Sequence, residues 1–103
     1  MNNKYIIFVG LNDKDSHAQE VSTLDAYKIV SNLACSHVGY GTITEARGVY
    51  THDDGTLVEE VTLRCEFSGA PLEKVKAFAL AAKEALNQES VGFEKVQSEF
   101  NFL

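Results

Sequence analysis

The sequence has little of what usually divides a chain into domains. Proline occurs once in 103 residues, and no Gly/Ser-rich, Gln-rich or like-charge run interrupts the chain. With 45% hydrophobic residues, a chain of this length has the composition of one domain built around one core. We therefore expect a single domain over residues 1–103.

Long apolar runs are also missing. The opening MNNKYIIFVG has an apolar stretch too short to span a bilayer, and it lacks the basic start and the small-residue cleavage pattern of a signal peptide. The two cysteines, Cys35 and Cys65, form no C-x-x-C pair, which favours free thiols in a reducing compartment. We expect a soluble cytoplasmic protein without membrane contact, in which both cysteines are small packing residues.

Basic residues are scarce. Nine Lys and Arg stand against 15 Asp and Glu, which gives a formal net charge of −6. Binding to nucleic-acid phosphates depends on clustered cations, so direct DNA or RNA binding is not expected. The acidic balance has two other interpretations, ordinary solubility or an acidic face that docks onto a basic partner.

Hydrophobic periodicity predicts six elements in the order β-α-β-β-α-β. Ser22, followed three residues later by Asp25, is a capping-box variant that starts the first helix, and Gly55 suits a tight hairpin turn. The second helix begins near Pro71. The predicted segments are strand Lys4–Val9, helix Ser22–Gly39, two strands within Tyr40–Phe67, helix Gly69–Gln88 and a last strand within Val91–Leu103.

This order is typical of a ferredoxin-like α+β domain, a split βαβ fold with both helices on one face of a four-stranded antiparallel sheet. Right-handed crossovers place the first and third strands in the centre. The first strand is apolar on both faces, so we expect a homo-oligomer that covers the open sheet face or an edge strand. The third strand should turn Glu60, Thr62, Arg64 and Glu66 to that open face. The apolar stripe predicted for the first helix comprises Leu24, Tyr27, Val30, Leu33, Ala34 and Val38.

No sequence motif dictates one chemistry. His17, His37 and His52 lack the spacing of a zinc site, and there is no nucleophile elbow, Walker loop or dinucleotide fingerprint. We therefore expect no metal, no cofactor and no catalytic residue.

The charged residues of the central hairpin allow two interpretations. Glu45 and Arg47 of the second strand could form a surface charge ladder with Glu60 and Arg64 of the third. Alternatively, Arg47 and Arg64 could converge on a phosphate or carboxylate, with Thr62 and a carboxylate completing the contacts.

Four short motifs in order resemble a domain-of-unknown-function family of small bacterial and phage proteins: FVGL at Phe8–Leu11, GVY at Gly48–Tyr50, GTLVEEVT at Gly55–Thr62 and QESV at Gln88–Val91. The resemblance implies a compact cytosolic α+β protein and no particular chemistry. The residues that it singles out are Gly10, Gly48, Tyr50, Glu60, Gln88, Glu89 and Ser90.

Three classes of function remain open. The favoured one is a non-enzymatic oligomeric protein that binds a small anionic ligand or a protein partner. The second is a phage counter-defence protein that sequesters a signalling nucleotide or inhibits a host nucleic-acid-binding protein. The third is a small enzyme with Glu60 or Glu89 as general base in an inter-subunit cleft. The candidate ligand-binding residues are Arg47, Tyr50, Glu60, Thr62, Arg64, Gln88, Glu89 and Ser90.

Overall fold

The computed structural model describes residues 2–103 and confirms the expected element order. The first helix begins after Ser22, whose side chain accepts a hydrogen bond from the Asp25 amide at 3.1 Å. The second helix begins after Pro71. The elements are β1 Asn2–Gly10, α1 Thr23–His37, β2 Thr42–Thr51, β3 Leu57–Ser68, α2 Leu72–Ala85 and β4 Gly92–Ser98.

The four strands form one antiparallel sheet in the order β2-β3-β1-β4, with β1 and β3 in the centre. Alternate residues of β1 and β3 point to the same face of the sheet and belong to the core. The pairs are Tyr5 opposite Phe67, Ile7 opposite Cys65 and Val9 opposite Leu63. The buried side chains of both helices belong to this same cluster, so both helices cover one face. The ferredoxin-like α+β architecture is therefore confirmed.

The opposite face of the sheet is open and carries the third-strand residues expected there. Glu66 lies opposite Ile6, Arg64 opposite Phe8 and Thr62 opposite Gly10. Ile6 is only 5% exposed, although it does not belong to the main core cluster. Ile6 therefore leaves little free surface on this face, whereas Phe8 is half-buried.

Two details of the expected packing are wrong. Leu24 and Tyr27 were expected in the apolar stripe of α1, but they are 62% and 46% exposed. The rest of the stripe is confirmed, since Val30 and Ala34 are buried and Leu33 and Val38 are half-buried against the core. Ala26 completes this face, because a small side chain lets α1 pack closely on its neighbours. Cys65 is buried as expected, whereas Cys35 is exposed.

The β2–β3 hairpin extends beyond the rest of the sheet. Pairing between β1 and β3 ends at Gly10 and Thr62, but β2 and β3 continue to pair as far as Thr51 and Leu57. We call this two-stranded extension, residues 47–61, the hairpin arm. Its apolar residues Val49, Tyr50 and Leu57 are 59%, 43% and 67% exposed.

No helix within residues 2–103 is long and apolar enough to cross a membrane.

Candidate ligand cleft

A cleft of about 400 Å³ lies at the end of the sheet where β1 stops and the hairpin arm begins. The loop after β1, the arm and the turn between α2 and β4 form its three walls. We call it the Glu60 cleft. Its lining residues are Asn12, Asp13, Lys14, His17, Tyr50, His52, Glu60, Gln88, Glu89 and Ser90.

The carboxylate of Glu60 is held by the backbone at the end of β1. Its Oε2 accepts a hydrogen bond from the Asn12 amide at 3.1 Å. A Cβ added at Gly10 would lie 2.6 to 2.7 Å from the Glu60 carboxyl atoms, so the carboxylate occupies the space that a side chain at position 10 would need. Gly10 is thus the residue that allows Glu60 to lie across β1.

Gly48 has the corresponding role on the other side of β3. It lies opposite Glu60 in β2, and a Cβ there would be 3.0 Å from Thr62 Oγ1 and 3.7 Å from Glu60 Cγ. Thr62 is only 9% exposed. Glycines on both neighbouring strands therefore leave room for the Glu60 and Thr62 side chains on the open face.

The turn between α2 and β4 supplies the opposite wall. Asn87 has a positive φ of 48°, the left-handed conformation that commonly ends a helix. The side chain of Gln88 turns inward and is 7% exposed, because its Nε2 donates to Asn12 O at 2.9 Å and to Leu86 O at 3.0 Å. Gln88 thus connects this turn to the end of β1.

The loop after β1 is shaped by Asp13. Its Oδ1 accepts hydrogen bonds from the amides of Asp15 at 2.8 Å and Ser16 at 3.2 Å, which is an Asx turn. Hydrogen bonds from the Asn87 side chain and from these two amides hold the pKa of the Asp13 carboxyl below its ordinary value. Asp13 is therefore ionised across the neutral range.

Three rings lie in sequence along the arm side of the cleft. The His52 ring is 5.3 Å from the Tyr50 ring and 6.5 Å from the His17 ring, measured between centroids, and both pairs are edge-on. Tyr50 and His52 belong to the arm and its turn, whereas His17 comes from the loop after β1. A flat group of a ligand could stack on these rings.

The charge of the lining favours a cation. Among the lining residues three are carboxylates, Asp13, Glu60 and Glu89, and one is an ammonium, Lys14. Opposite charges attract more strongly in a partly enclosed cleft than in bulk water. The cleft can therefore hold a ligand that combines a positive charge, a planar ring and hydrogen-bonding groups.

Five of the eight candidate binding residues meet in this cleft. Tyr50, Glu60, Gln88, Glu89 and Ser90 line it, and Thr62 lies beside Glu60 on the same face. Sequence reasoning did not place Asn12, Asp13 and Lys14 there, and it considered His17 and His52 only as metal ligands. The polar residues directly after the first strand could have indicated this wall of the cleft, since that strand ends at this edge of the sheet.

The expected meeting of Arg47 with Arg64 is wrong, as is the charge ladder. Arg47 lies opposite Val61 and Glu45 opposite Leu63, which puts both on the helix-side parity of the sheet. Arg64 is on the open face, where its Nη1 is 3.1 Å from Glu66 Oε1. The two arginines therefore cannot share one anion.

Two further observations limit the site. Within the described part of the chain, no group of three or more His, Cys, Asp or Glu residues is arranged to hold a metal ion. A second cleft of about 410 Å³ lies at the other end of the open face, next to Lys4, Tyr40, Glu66 and Phe102. It contains one carboxylate and none of the candidate binding residues.

No protein-family model and no curated protein sequence matches the chain. Solved structures with a similar fold include a phage SAM (S-adenosylmethionine) lyase in complex with S-methyl-5′-thioadenosine, with a TM-score of 0.66, 24% identity, and coverage of 98% of this chain and 93% of the lyase. The apo state of a phage SAM lyase gives a TM-score of 0.63, 24% identity, and coverage of 97% and 92%. CutA from Synechococcus elongatus gives 0.60, 11% identity, and coverage of 94% and 76%. At these identities the likeness shows the fold.

Proposed function

We propose that this protein binds SAM in the Glu60 cleft and cleaves it to S-methyl-5′-thioadenosine. The observation that carries the proposal is the Glu60 carboxylate, fixed by the Asn12 amide over Gly10, in a cleft with two further carboxylates. The sulfonium of SAM is a permanent cation, which such a cleft attracts. The fold that the chain shares with a phage SAM lyase over 98% of its length supports this choice of ligand.

The remaining walls suit the nucleoside part of the ligand. The rings of Tyr50 and His52 offer a stacking surface for adenine, and the carboxylate of Glu89 can accept hydrogen bonds from ribose hydroxyls. A volume of about 400 Å³ is within the ordinary range for small-molecule sites. This acidic lining suits a cationic ligand better than the anionic ligand that the sequence favoured.

The reaction breaks the bond between sulfur and the amino-acid side chain. Sulfur keeps the bonding electron pair and becomes the neutral thioether of S-methyl-5′-thioadenosine. In the proposed step the carboxylate of the same substrate attacks the carbon that loses sulfur and closes a lactone, so neither water nor net proton transfer is needed. Every atom of SAM is then found in the two products.

Substrate binding and rate acceleration have different physical causes in this step. Because the sulfonium loses its charge as the bond breaks, attraction to Glu60 stabilises bound SAM more than the transition state. Acceleration then comes from a cleft shape that holds the substrate carboxylate close to the carbon under attack. Loss of the Glu60 charge should therefore raise KM more than it lowers kcat.

The exposed hairpin arm supports the expected homo-oligomer. Val49 and Leu57 share one face of two strands that neither helix covers, and both are exposed. Such an arm is stabilised by packing on a second copy of the chain. Tyr50 lies on the other face of the arm, where it lines the cleft, so an assembly through Val49 and Leu57 would adjoin the ligand site across the arm.

The test is to incubate the protein with SAM and to measure S-methyl-5′-thioadenosine by mass spectrometry. We expect product with the wild type, and a KM at least about 10-fold higher for Glu60→Gln, since a charge-assisted contact is worth roughly 1.5 to 3 kcal/mol. Glu59→Gln is the matched control, because Glu59 is exposed and lies opposite Val49 on the other parity of β3.

Three results would count against the proposal. SAM binding without product would favour the sequestering form of the counter-defence role over an enzyme. Absence of both binding and product would remove SAM from consideration. Equal losses for Glu59→Gln and Glu60→Gln would show that the Glu60 cleft is not the site.

A further inference from the structure

We propose that Asn87 is a positioning residue, which locks the loop after β1 against the α2–β4 turn and so sets the width of the Glu60 cleft. The inference rests on the proposed function for its substrate, but the geometry that it concerns is independent of it. Asn87 is not among the residues that line the cleft. It acts through the residues that do.

The backbone of Asn87 does not by itself call for asparagine. With φ at 48° it follows Leu86 at the end of α2, and its amide donates to Glu84 O at 3.2 Å. Glycine adopts this conformation with less strain. The side chain therefore needs a separate explanation.

That side chain bonds to two residues more than 70 positions away. Asn87 Nδ2 donates to Asp13 Oδ2 and to Asp15 Oδ2, each at 2.9 Å. A primary amide has two N–H hydrogens, so both are used. The carbonyl of Asn87 also accepts a hydrogen bond from the Lys14 amide at 3.0 Å. One residue thus makes three contacts with three consecutive residues of the opposite wall.

The loop that Asn87 holds is an internally bonded unit. Asp13 donates its amide to Ala18 O at 2.8 Å and accepts from the His17 amide at 2.8 Å, in addition to its Asx turn. A shift at Asp13 therefore carries Lys14 and His17 with it. Asn12, whose amide holds Glu60, is the preceding residue. Removing the Asn87 side chain should move this whole wall relative to Gln88–Ser90.

The lowered pKa of Asp13 agrees with this arrangement. The hydrogen bond from Asn87 is the first cause of the shift, ahead of the two loop amides. An ionised carboxylate makes a stronger hydrogen bond with an amide than a neutral acid does. The lock is therefore in place at neutral pH.

Two variants separate the side chain from the backbone. Asn87→Gly keeps the left-handed conformation and removes the contacts with Asp13 and Asp15. Asn87→Asp keeps the size but adds a third carboxylate within hydrogen-bond distance of two others. The other charged groups around position 87 are Lys14 of the loop and Lys83 and Glu84 of α2. Asn32→Asp is the charge control, because Asn32 is exposed on α1.

For Asn87→Gly we expect KM for SAM to rise about 10-fold, with a smaller change in kcat, because the cleft is misaligned and not destroyed. For Asn87→Asp, the ratio of its kcat/KM to that of the wild type should recover as pH falls from 8 to 5. Mutual repulsion raises the pKa of the clustered carboxyls, and a protonated acid at position 87 can again donate. Asn32→Asp should behave as wild type throughout.

Amide hydrogen exchange provides the readout that does not depend on substrate. Peptides covering residues 12–17 should exchange faster in Asn87→Gly, while peptides from α1 should not change. Unchanged exchange, or a lower melting temperature with unchanged KM, would overturn the inference and leave Asn87 as a helix end only. If the wild type neither binds nor cleaves SAM, the proposed function fails, and exchange alone still decides whether Asn87 fixes the loop.

Discussion

Gly10 determines the position of Glu60, because the Glu60 carboxylate occupies the place of the missing Cβ. In Gly10→Ala the methyl group must displace the end of a flexible side chain, which a fold tolerates more easily than a backbone clash. We expect the melting temperature to change by only a few degrees, since replacing Gly by Ala within a strand is itself mildly favourable. KM for SAM should rise about 10-fold or more.

The control for this prediction is the double variant Gly10→Ala with Glu60→Gln. If the methyl group acts through Glu60, it should add little to the effect of Glu60→Gln on KM. Additive losses would mean that Gly10 matters for some other reason.

The two cysteines should differ in reactivity. Burial raises the pKa of the Cys65 thiol to about 12, whereas Cys35 is exposed. A thiol reagent at pH 8 should therefore modify one cysteine quickly in the native protein and the second only after unfolding. Cys35→Ser should abolish the fast phase, and a fast phase that persists in that variant would contradict the burial of Cys65.

The same shift predicts a pH effect on stability. Because the pKa of Cys65 is higher in the folded than in the unfolded protein, its contribution is complete below about 9 and is lost as pH rises from about 9 towards 12. Cys65→Ala should flatten the fall in unfolding free energy over that interval. An unchanged slope would contradict the raised pKa.

Among the secondary-structure elements, α1 depends at its start on one side-chain hydrogen bond. Ser22→Ala removes the acceptor for the Asp25 amide and should lower the free energy of unfolding by about 1 kcal/mol, measured by urea denaturation. Ser36→Ala is a matched change at an exposed position within the same helix, and it should have a small effect of opposite sign. Equal losses would mean that the cap contributes nothing specific.

The elements themselves could be predicted because each carries its own pattern. The alternation of apolar and polar residues correctly predicted which side chains of β3 point to the open face. Ser22 and Gly55 correctly indicated a helix start and a turn. The face of β2 could not be assigned in this way, since β2 is polar on both sides and its register depends on the turn. A shift of one residue in register turns every side chain to the other face, which is why Arg47 was misplaced.

The cleft was harder to predict than the fold because its walls come from three separate segments. Glu60 and Gln88 were candidates from short motifs, but nothing local in the sequence shows that Gln88 donates to Asn12. The exposure of Leu24 was not predicted for a similar reason. Periodicity assigns large apolar residues to the buried face of a helix, whereas α1 packs largely through its alanines. Contacts between distant segments are fixed by the fold and not by local pattern.

In the molecule as a whole, the hairpin arm is an apolar feature that a lone chain leaves largely uncovered. We expect sedimentation at micromolar concentration to show a species larger than the 11.3 kDa chain. Leu57→Glu places a charge on the arm at a residue that is 67% exposed, so it should dissociate the assembly without unfolding the chain.

Leu24→Glu is the matched control for the arm, because Leu24 is 62% exposed and belongs to α1 and not to the arm. It should leave the assembly intact. Dissociation by Leu24→Glu alone would place the contact on α1, and a wild type that sediments only at 11.3 kDa would contradict assembly.

Binding of a thioadenosine ligand in the Glu60 cleft can be followed by titrating ¹⁵N-labelled protein with S-methyl-5′-thioadenosine and monitoring the backbone amides. We expect saturable chemical-shift changes at Asn12, whose amide donates a hydrogen bond to Glu60, and at Glu89 and Ser90. Ser68, at the second cleft, should not move. Shifts confined to the second cleft, or none at millimolar ligand, would contradict it.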